Sequence, residues 1–302
     1  MYSAIWWGVL VTNQEIDTQM QILVKSERKI TREILELIQR AEHQRLPLER
    51  GFKDTYDWLI RGHGYSASAA NRRIQASRLL SEIPEAAAKV ESGQLNLTLL
   101  WQAQKVIRAQ RKTTGQKVSR HEKMAALAKI EGKTSEVAER ELHSMFPEAD
   151  VTVQKIVQKH DGGIGLTIEL SATDARELKR AQELLSHAMP GASLSEVITR
   201  LARDFNKRND PLMKQGSTAR RSMVLQKAEG KCTFKDSRTG RVCGSTFQVE
   251  MDHWIPRALG GSNELRNLRS LCRKHNGFEA ERKLGRRFMD YKLAQSKSNF
   301  VR

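Results

Sequence analysis

The chain has 302 residues, with 52 Lys/Arg against 35 Asp/Glu, a net charge of +17 and a pI near 10.0. That length allows two or three domains with a sizeable core and no need of disulfide staples. The basic surplus fits a polyanionic partner such as DNA, since each neutralised phosphate releases counterions. No apolar stretch is long enough for a bilayer, so a membrane partner is excluded and a soluble, cytoplasmic protein is expected. The apolar segment Tyr2–Thr12 contains Trp6 and Trp7. It lacks the basic start of a signal peptide and reads as a packed strand or helix, or as an extension outside the core.

A long amphipathic helix is expected from Ile16 to Gln44, with Ile22, Leu23, Ile30, Ile34, Leu35, Leu37 and Ile38 at helical spacing. Pro47 and Gly51 interrupt the pattern. A shorter helix is expected over Phe52–Ile60, and a third over Ala67–Leu80 with Ser66 as its cap. Further helices are expected from Pro84 to Gly93, Leu95 to Gln110, His121 to Ile130 and Ser135 to Met145. Residues 1–147 thus read as one multi-helix domain.

The character changes after Pro147. Val151, Val153, Ile156 and Val157 predict a strand, Asp161-Gly162-Gly163 a turn, and Leu166, Ile168 and Leu170 alternate with polar residues as in a returning strand. Helices are expected over Thr173–His187, capped by Ser171, and over Leu194–Phe205. Residues 148–210 therefore read as a β-hairpin plus two helices, and 211–221 as the end of a polar linker beginning near Asn206. From Pro211 to Arg302 the chain carries 20 Lys/Arg against 8 Asp/Glu, so most of the positive surplus lies here. All three cysteines lie here too. An odd, clustered set beside His argues for a reduced compartment and a metal, not a disulfide framework.

The C-terminal region contains Cys232, Cys243, Asp252-His253-Trp254-Ile255-Pro256, Gly260-Gly261, Asn267, and Cys272-Arg273-Lys274-His275-Asn276, in that order. This order resembles the HNH (ββα-metal) endonuclease family over roughly residues 222–290, with the module taken as 222–302. The fold class expected is mainly α, with a small α+β, zinc-stapled module at the C-terminus.

Cys232, Cys243, Cys272 and His275 form a soft-ligand set suited to a closed structural Zn²⁺ site. Ten residues separate the first two cysteines where many family members have two. The insert Lys235–Gly240 reads as a turn that brings the thiols together across a hairpin. The resemblance implies a second, catalytic metal, Mg²⁺ or Mn²⁺, on Asp252 and Asn276. It makes His253 the general base and gives Asn267 a structural role in orienting the loop that carries the base. Neighbouring strand residues point to opposite faces, so a bulge or irregular strand end is expected to bring Asp252 and His253 to one site.

Arg273, Lys274, Lys283, Arg286 and Arg287 are candidate phosphate contacts, the last three on a helix after the motif. The run from Gly64-Tyr65-Ser66 to Gly93-x-Leu95 is similar to the helical domain of unknown function that precedes HNH modules in bacterial proteins, and to a helix-turn-helix segment. There Arg72, Arg73 and Arg78 are candidate DNA contacts, with Ala70, Ile74 and Ser77 facing the core. The function expected is metal-dependent DNA cleavage, with a homodimer as one way to cut both strands. The alternative is a zinc-stapled, non-catalytic DNA-binding or regulatory protein.

Overall fold

A computed structural model describes residues 12–149, 155–210, 212 and 220–298. The expected element at Tyr2–Thr12 therefore lies, apart from Thr12, outside the described residues, as do Val151 and Val153. By internal packing the chain divides into two units, Met1–Pro47 with Asp54–Val151, and Leu48–Lys53 with Thr152–Arg302. None of the described helices is long and apolar enough to cross a membrane.

The first unit is helical. Helix α1 spans Asn13–His43 and starts from a reciprocal capping box between Thr12 and Glu15. Only its C-terminal half enters the core, through Leu35, Ile38 and Ala41, while Ile22, Leu23, Ile30 and Leu37 are exposed. One-turn helices α2 (Leu46–Glu49), whose last two residues belong to the second unit, and α3 (Thr55–Asp57) follow. The expected helix at Phe52 begins only at Thr55, because Gly51 is in the left-handed region and the Asp54 carboxylate caps the Asp57 amide. It then widens into a π turn over Trp58–Gly62. Helix α4 (Ala67–Glu82) starts at Ser66, whose hydroxyl accepts the Ala69 amide. Helix α5 (Ala86–Ser92) stops at Gly93, which adopts φ 84°. Helices α6 (Leu97–Thr114), α7 (Arg120–Ile130) and α8 (Ser135–Met145) complete the unit. Its core runs from Leu35 through Leu79, Leu99 and Leu100 to Ile130 and Leu142.

In the second unit, β1 (Lys155–Gln158) pairs antiparallel with β2 (Ile164–Thr167). The ladder stops at Thr167, short of the expected Leu170. Helix α9 (Ala172–Leu185) starts at the Ser171 cap, and α10 (Leu194–Asn209) starts at a capping box between Ser193 and Glu196. Thus α10 extends four residues past the expected Phe205, into the stretch read as polar linker. Likewise α11 (Arg220–Lys227) takes in Arg220 and Arg221, placed in the linker above. Most of the linker between them lies outside the described residues.

The C-terminal part is an antiparallel ribbon, β3 (Val249–His253) against β4 (Leu268–Cys272), followed by α12 (Arg273–Leu284) and α13 (Arg286–Ser298). Gly285, with φ 88°, divides what the sequence presents as one helix, so Lys283 lies on α12 and Arg286 and Arg287 on α13. The ribbon register is regular from Val249↔Cys272 to His253↔Leu268. No bulge interrupts this pairing, and of the two expected devices only a strand end is present here, since β3 stops at His253. The apolar core is small, consisting of Cys232, Phe234, Cys243, Leu271 and Cys272 with Phe278 against it. A core of this size gains from a metal pin.

Candidate metal centre and adjoining acidic face

The insert between the first two cysteines folds as a hairpin. Cys243 N–H donates to the Phe234 carbonyl at 2.9 Å, Lys235 bridges Val242, and Asp236 N–H donates to Arg241 at 2.8 Å. The Asp236 carboxylate closes the turn on the Arg238 amide and the Thr239 hydroxyl. The two thiols meet across this hairpin, and β4 and the first turn of α12 bring Cys272 and His275 to them. All four ligand atoms lie within 4.8 Å of one another and all four residues are buried. A tetrahedron with Zn–S bonds of about 2.3 Å has edges near 3.8 Å, so the set fits zinc in both size and chemistry.

His275 Nδ1 lies 3.6 Å from Cys232 Sγ and 3.4 Å from Cys272 Sγ. Its Nε2 lies 3.0 Å from the Leu48 carbonyl oxygen. A carbonyl only accepts, so Nε2 carries the proton and Nδ1 faces the sulfurs. Phe234 stacks on the imidazole at 4.0 Å between centroids. Burial disfavours the charged ring, but the contacts with Cys232 and Cys272 outweigh it and raise its pKa to about 9. The bond to Cys232 likewise pulls the Cys272 thiol down, while bonds to Cys232 and Cys272 push Cys243 up. These groups compete for shared protons, and a metal cation satisfies all of them at once.

The hard-ligand candidates lie on a different face. Helix α12 runs back along β3, and side chains at helical spacing meet strand residues at spacing two. Asn276 Nδ2 donates to Glu250 Oε2 at 2.9 Å. Glu279 accepts from Arg269 at 2.9 Å, and Arg269 Nε donates to Asp252 Oδ2 at 2.8 Å. The Lys283 ammonium donates to the Trp254 carbonyl. Asp252 and Asn276 therefore share the α12 side of the ribbon, Asp252 tied through Oδ2 to Arg269 and Asn276 through Nδ2 to Glu250.

His253 is the last residue of β3, paired with Leu268, where the chain leaves the ribbon for the loop that follows. Its Nε2 lies 2.9 Å from Asn263 Oδ1. Buried Asn267 fixes the intervening loop. Its Oδ1 accepts the Ile255 amide at 2.8 Å, and its Nδ2 donates to the Ile255 and Ser262 carbonyls at 3.1 and 2.7 Å. Glu250, Asn263, Arg269 and Glu279 were not singled out by sequence reasoning. Strand alternation from Asp252 to Glu250, and helical spacing from Asn276 to Glu279, were signals for the faces of two of these.

The basic candidates divide. Arg273 and Lys274 are exposed on the first turn of α12, and Arg286 and Arg287 are exposed on α13. Lys283 is engaged with Trp254 and, at 3.8 Å, with Glu279. In the first unit, Ala70, Ile74 and Ser77 of α4 are buried. Arg72 is exposed, Arg73 covers the Tyr65 ring at 4.3 Å, and Arg78 pairs with Glu42 at 2.8 Å.

A two-stranded ribbon backed by a helix and pinned by three cysteines and a histidine defines a metal-stapled ββα module. Residues 241–277 match the family model described as HNH endonuclease. The match begins after Cys232 and ends just past Asn276, and it gives the module a nuclease-type or DNA-binding function. No curated protein and no solved structure matches the chain.

Proposed function

We propose that the ββα module is a divalent-metal-dependent DNA endonuclease and that the helical unit targets it to DNA. One observation carries the reading: Asp252 and Asn276, 24 positions apart in the chain, present oxygens on one face of the ribbon. A carboxylate and an amide oxygen suit Mg²⁺ or Mn²⁺, which would stabilise charge on the phosphoryl and departing 3′-oxygens. Glu250 holds the Asn276 amide by its nitrogen, so the oxygen is the outward atom. Asn263 holds the proton of His253 on Nε2 and leaves a lone pair on Nδ1. His253 acts as the base that takes a proton from water, and the hydroxide attacks phosphorus in line. The products carry 5′-phosphate and 3′-hydroxyl ends. Arg273, Lys274, Arg286 and Arg287 contact backbone phosphates, and Arg72, Arg73 and Arg78 do so from α4.

The test is cleavage of supercoiled and linear DNA across divalent metals, with His253→Ala as control. Loss of a general base lowers the rate by roughly 10²–10⁴-fold. Equal cleavage by the wild type and His253→Ala removes His253 from the mechanism. One observation favours a second reading, a zinc-stapled DNA-binding protein without catalysis: Asp252 already has a cationic partner in Arg269. That reading predicts salt-sensitive binding and no cleavage with any metal.

A further inference from the structure

We infer that the segment Leu48–Lys53 is a positioning element of the metal centre, acting through the Leu48 carbonyl on the His275 ring. The inference rests on zinc binding by the Cys₃His cluster and is independent of nuclease activity. The segment belongs to the second unit by its packing, although Leu48 lies 227 residues before His275 in the chain.

Separate contacts support it. His275 Nε2–H donates to the Leu48 carbonyl at 3.0 Å, which leaves Nδ1 as the metal-facing nitrogen. A histidine ligand ordinarily needs such an acceptor, and losing it costs about 10–100-fold in metal affinity. Phe52 is 2 % exposed, and the Arg241 guanidinium lies over its ring at 4.3 Å. Gly51 has φ +72°, and a Cβ there would stand 2.8 Å from the Arg241 carbonyl oxygen. Arg50 adds positive charge near Asp236, the residue that closes the Cys232–Cys243 turn.

One short stretch thus meets His275 directly and, through Arg241, the hairpin between Cys232 and Cys243. Gly51 and Phe52 brace the hairpin that brings Cys232 to Cys243, and Leu48 orients the ring that follows Cys272. Nothing in the local sequence of the metal-binding motif supplies an acceptor for His275 Nε2. The structure assigns that role to a backbone group from far upstream.

The experiment uses the full-length chain loaded with zinc, without DNA, and measures zinc release to a chromogenic chelator. Gly51→Ala forces a side chain against the Arg241 carbonyl in a left-handed position and displaces the segment. Zinc release should then be faster by about 10-fold or more. In a His275→Cys background the ligand has no ring N–H, so Gly51→Ala should change release little. Unchanged release in Gly51→Ala overturns the proposal. So does equal acceleration in both backgrounds, which would assign the effect to packing alone. If Gly51→Ala does not fold, long-range ¹H–¹⁵N spectra of the wild-type zinc form decide. Protonated Nε2 and metal-bound Nδ1 support the assignment, and the reverse arrangement refutes it. Metal analysis of the wild type reports zinc binding separately, and DNA cleavage plays no part in any readout.

Discussion

Asn267→Ala removes three hydrogen bonds from a buried site in one step: Oδ1 from the Ile255 amide, and Nδ2 to the Ile255 and Ser262 carbonyls. At about 1 kcal/mol net for each bond, the loss is about 3 kcal/mol of local stability. With about 1.4 kcal/mol per tenfold change, that is on the order of 100-fold in the opening equilibrium of the loop. Two packing units make global unfolding a poor measure, since two-state behaviour is not expected of such chains. Native-state hydrogen exchange at the Ile255 amide reports the relevant opening directly. The neighbouring Trp254 amide donates to the Asn267 backbone carbonyl at 2.8 Å, a bond the substitution leaves in place, and so serves as the internal reference. The expected result is Ile255 exchange faster by about 100-fold with a smaller change at Trp254. Asn267→Asp keeps an acceptor for the Ile255 amide but sets a carboxylate oxygen against two carbonyls, so it should be worse than alanine at neutral pH. If Ile255 in Asn267→Ala exchanges as slowly as in the wild type, the loop is not held by this side chain.

Cys243→Ser should abolish stoichiometric zinc binding and unfold the ribbon while leaving the helices of the first unit formed, as read by metal analysis and circular dichroism. Asn263→Ala should lower kcat of DNA cleavage with little change in DNA affinity, because it releases a ring nitrogen of His253, and Asn263→Asp should restore part of the rate. A matched fall in affinity instead would make Asn263 a DNA contact. Glu279 is opposed by burial, which raises its pKa, but the Arg269 hydrogen bond and the Arg269, Arg282 and Lys283 charges win and hold it below the usual carboxylate range. Its contribution to stability is therefore present above the unfolded-state value of about 4.3 and is lost as pH falls through the lowered folded-state value. Acid titration of ribbon stability should show this loss in the wild type and lack it in Glu279→Gln, and parallel profiles would contradict the ion-pair account.

What the sequence determined by itself was local or compositional. Ser66, Ser171 and Gly93 mark helix ends because a hydroxyl three residues from an amide, or a glycine free to take positive φ, acts within one turn. Three cysteines and a histidine read as one soft-ligand set because few other uses suit that donor chemistry, and the turn residues between Cys232 and Cys243 foretold their hairpin. The polar network was not legible. Asn276 finds Glu250 and Asp252 finds Arg269 only after β3 pairs with β4 and α12 folds back over them, which no periodicity in one segment encodes. That the Lys283 ammonium donates to the Trp254 carbonyl was likewise not legible, and Phe52 looked like the start of a helix until Gly51 and Asp54 fixed the chain otherwise. Residue type and spacing specify which groups can bind a metal. Only tertiary packing chooses their hydrogen-bond partners, because those partners lie as far away in the chain as Leu48 does from His275.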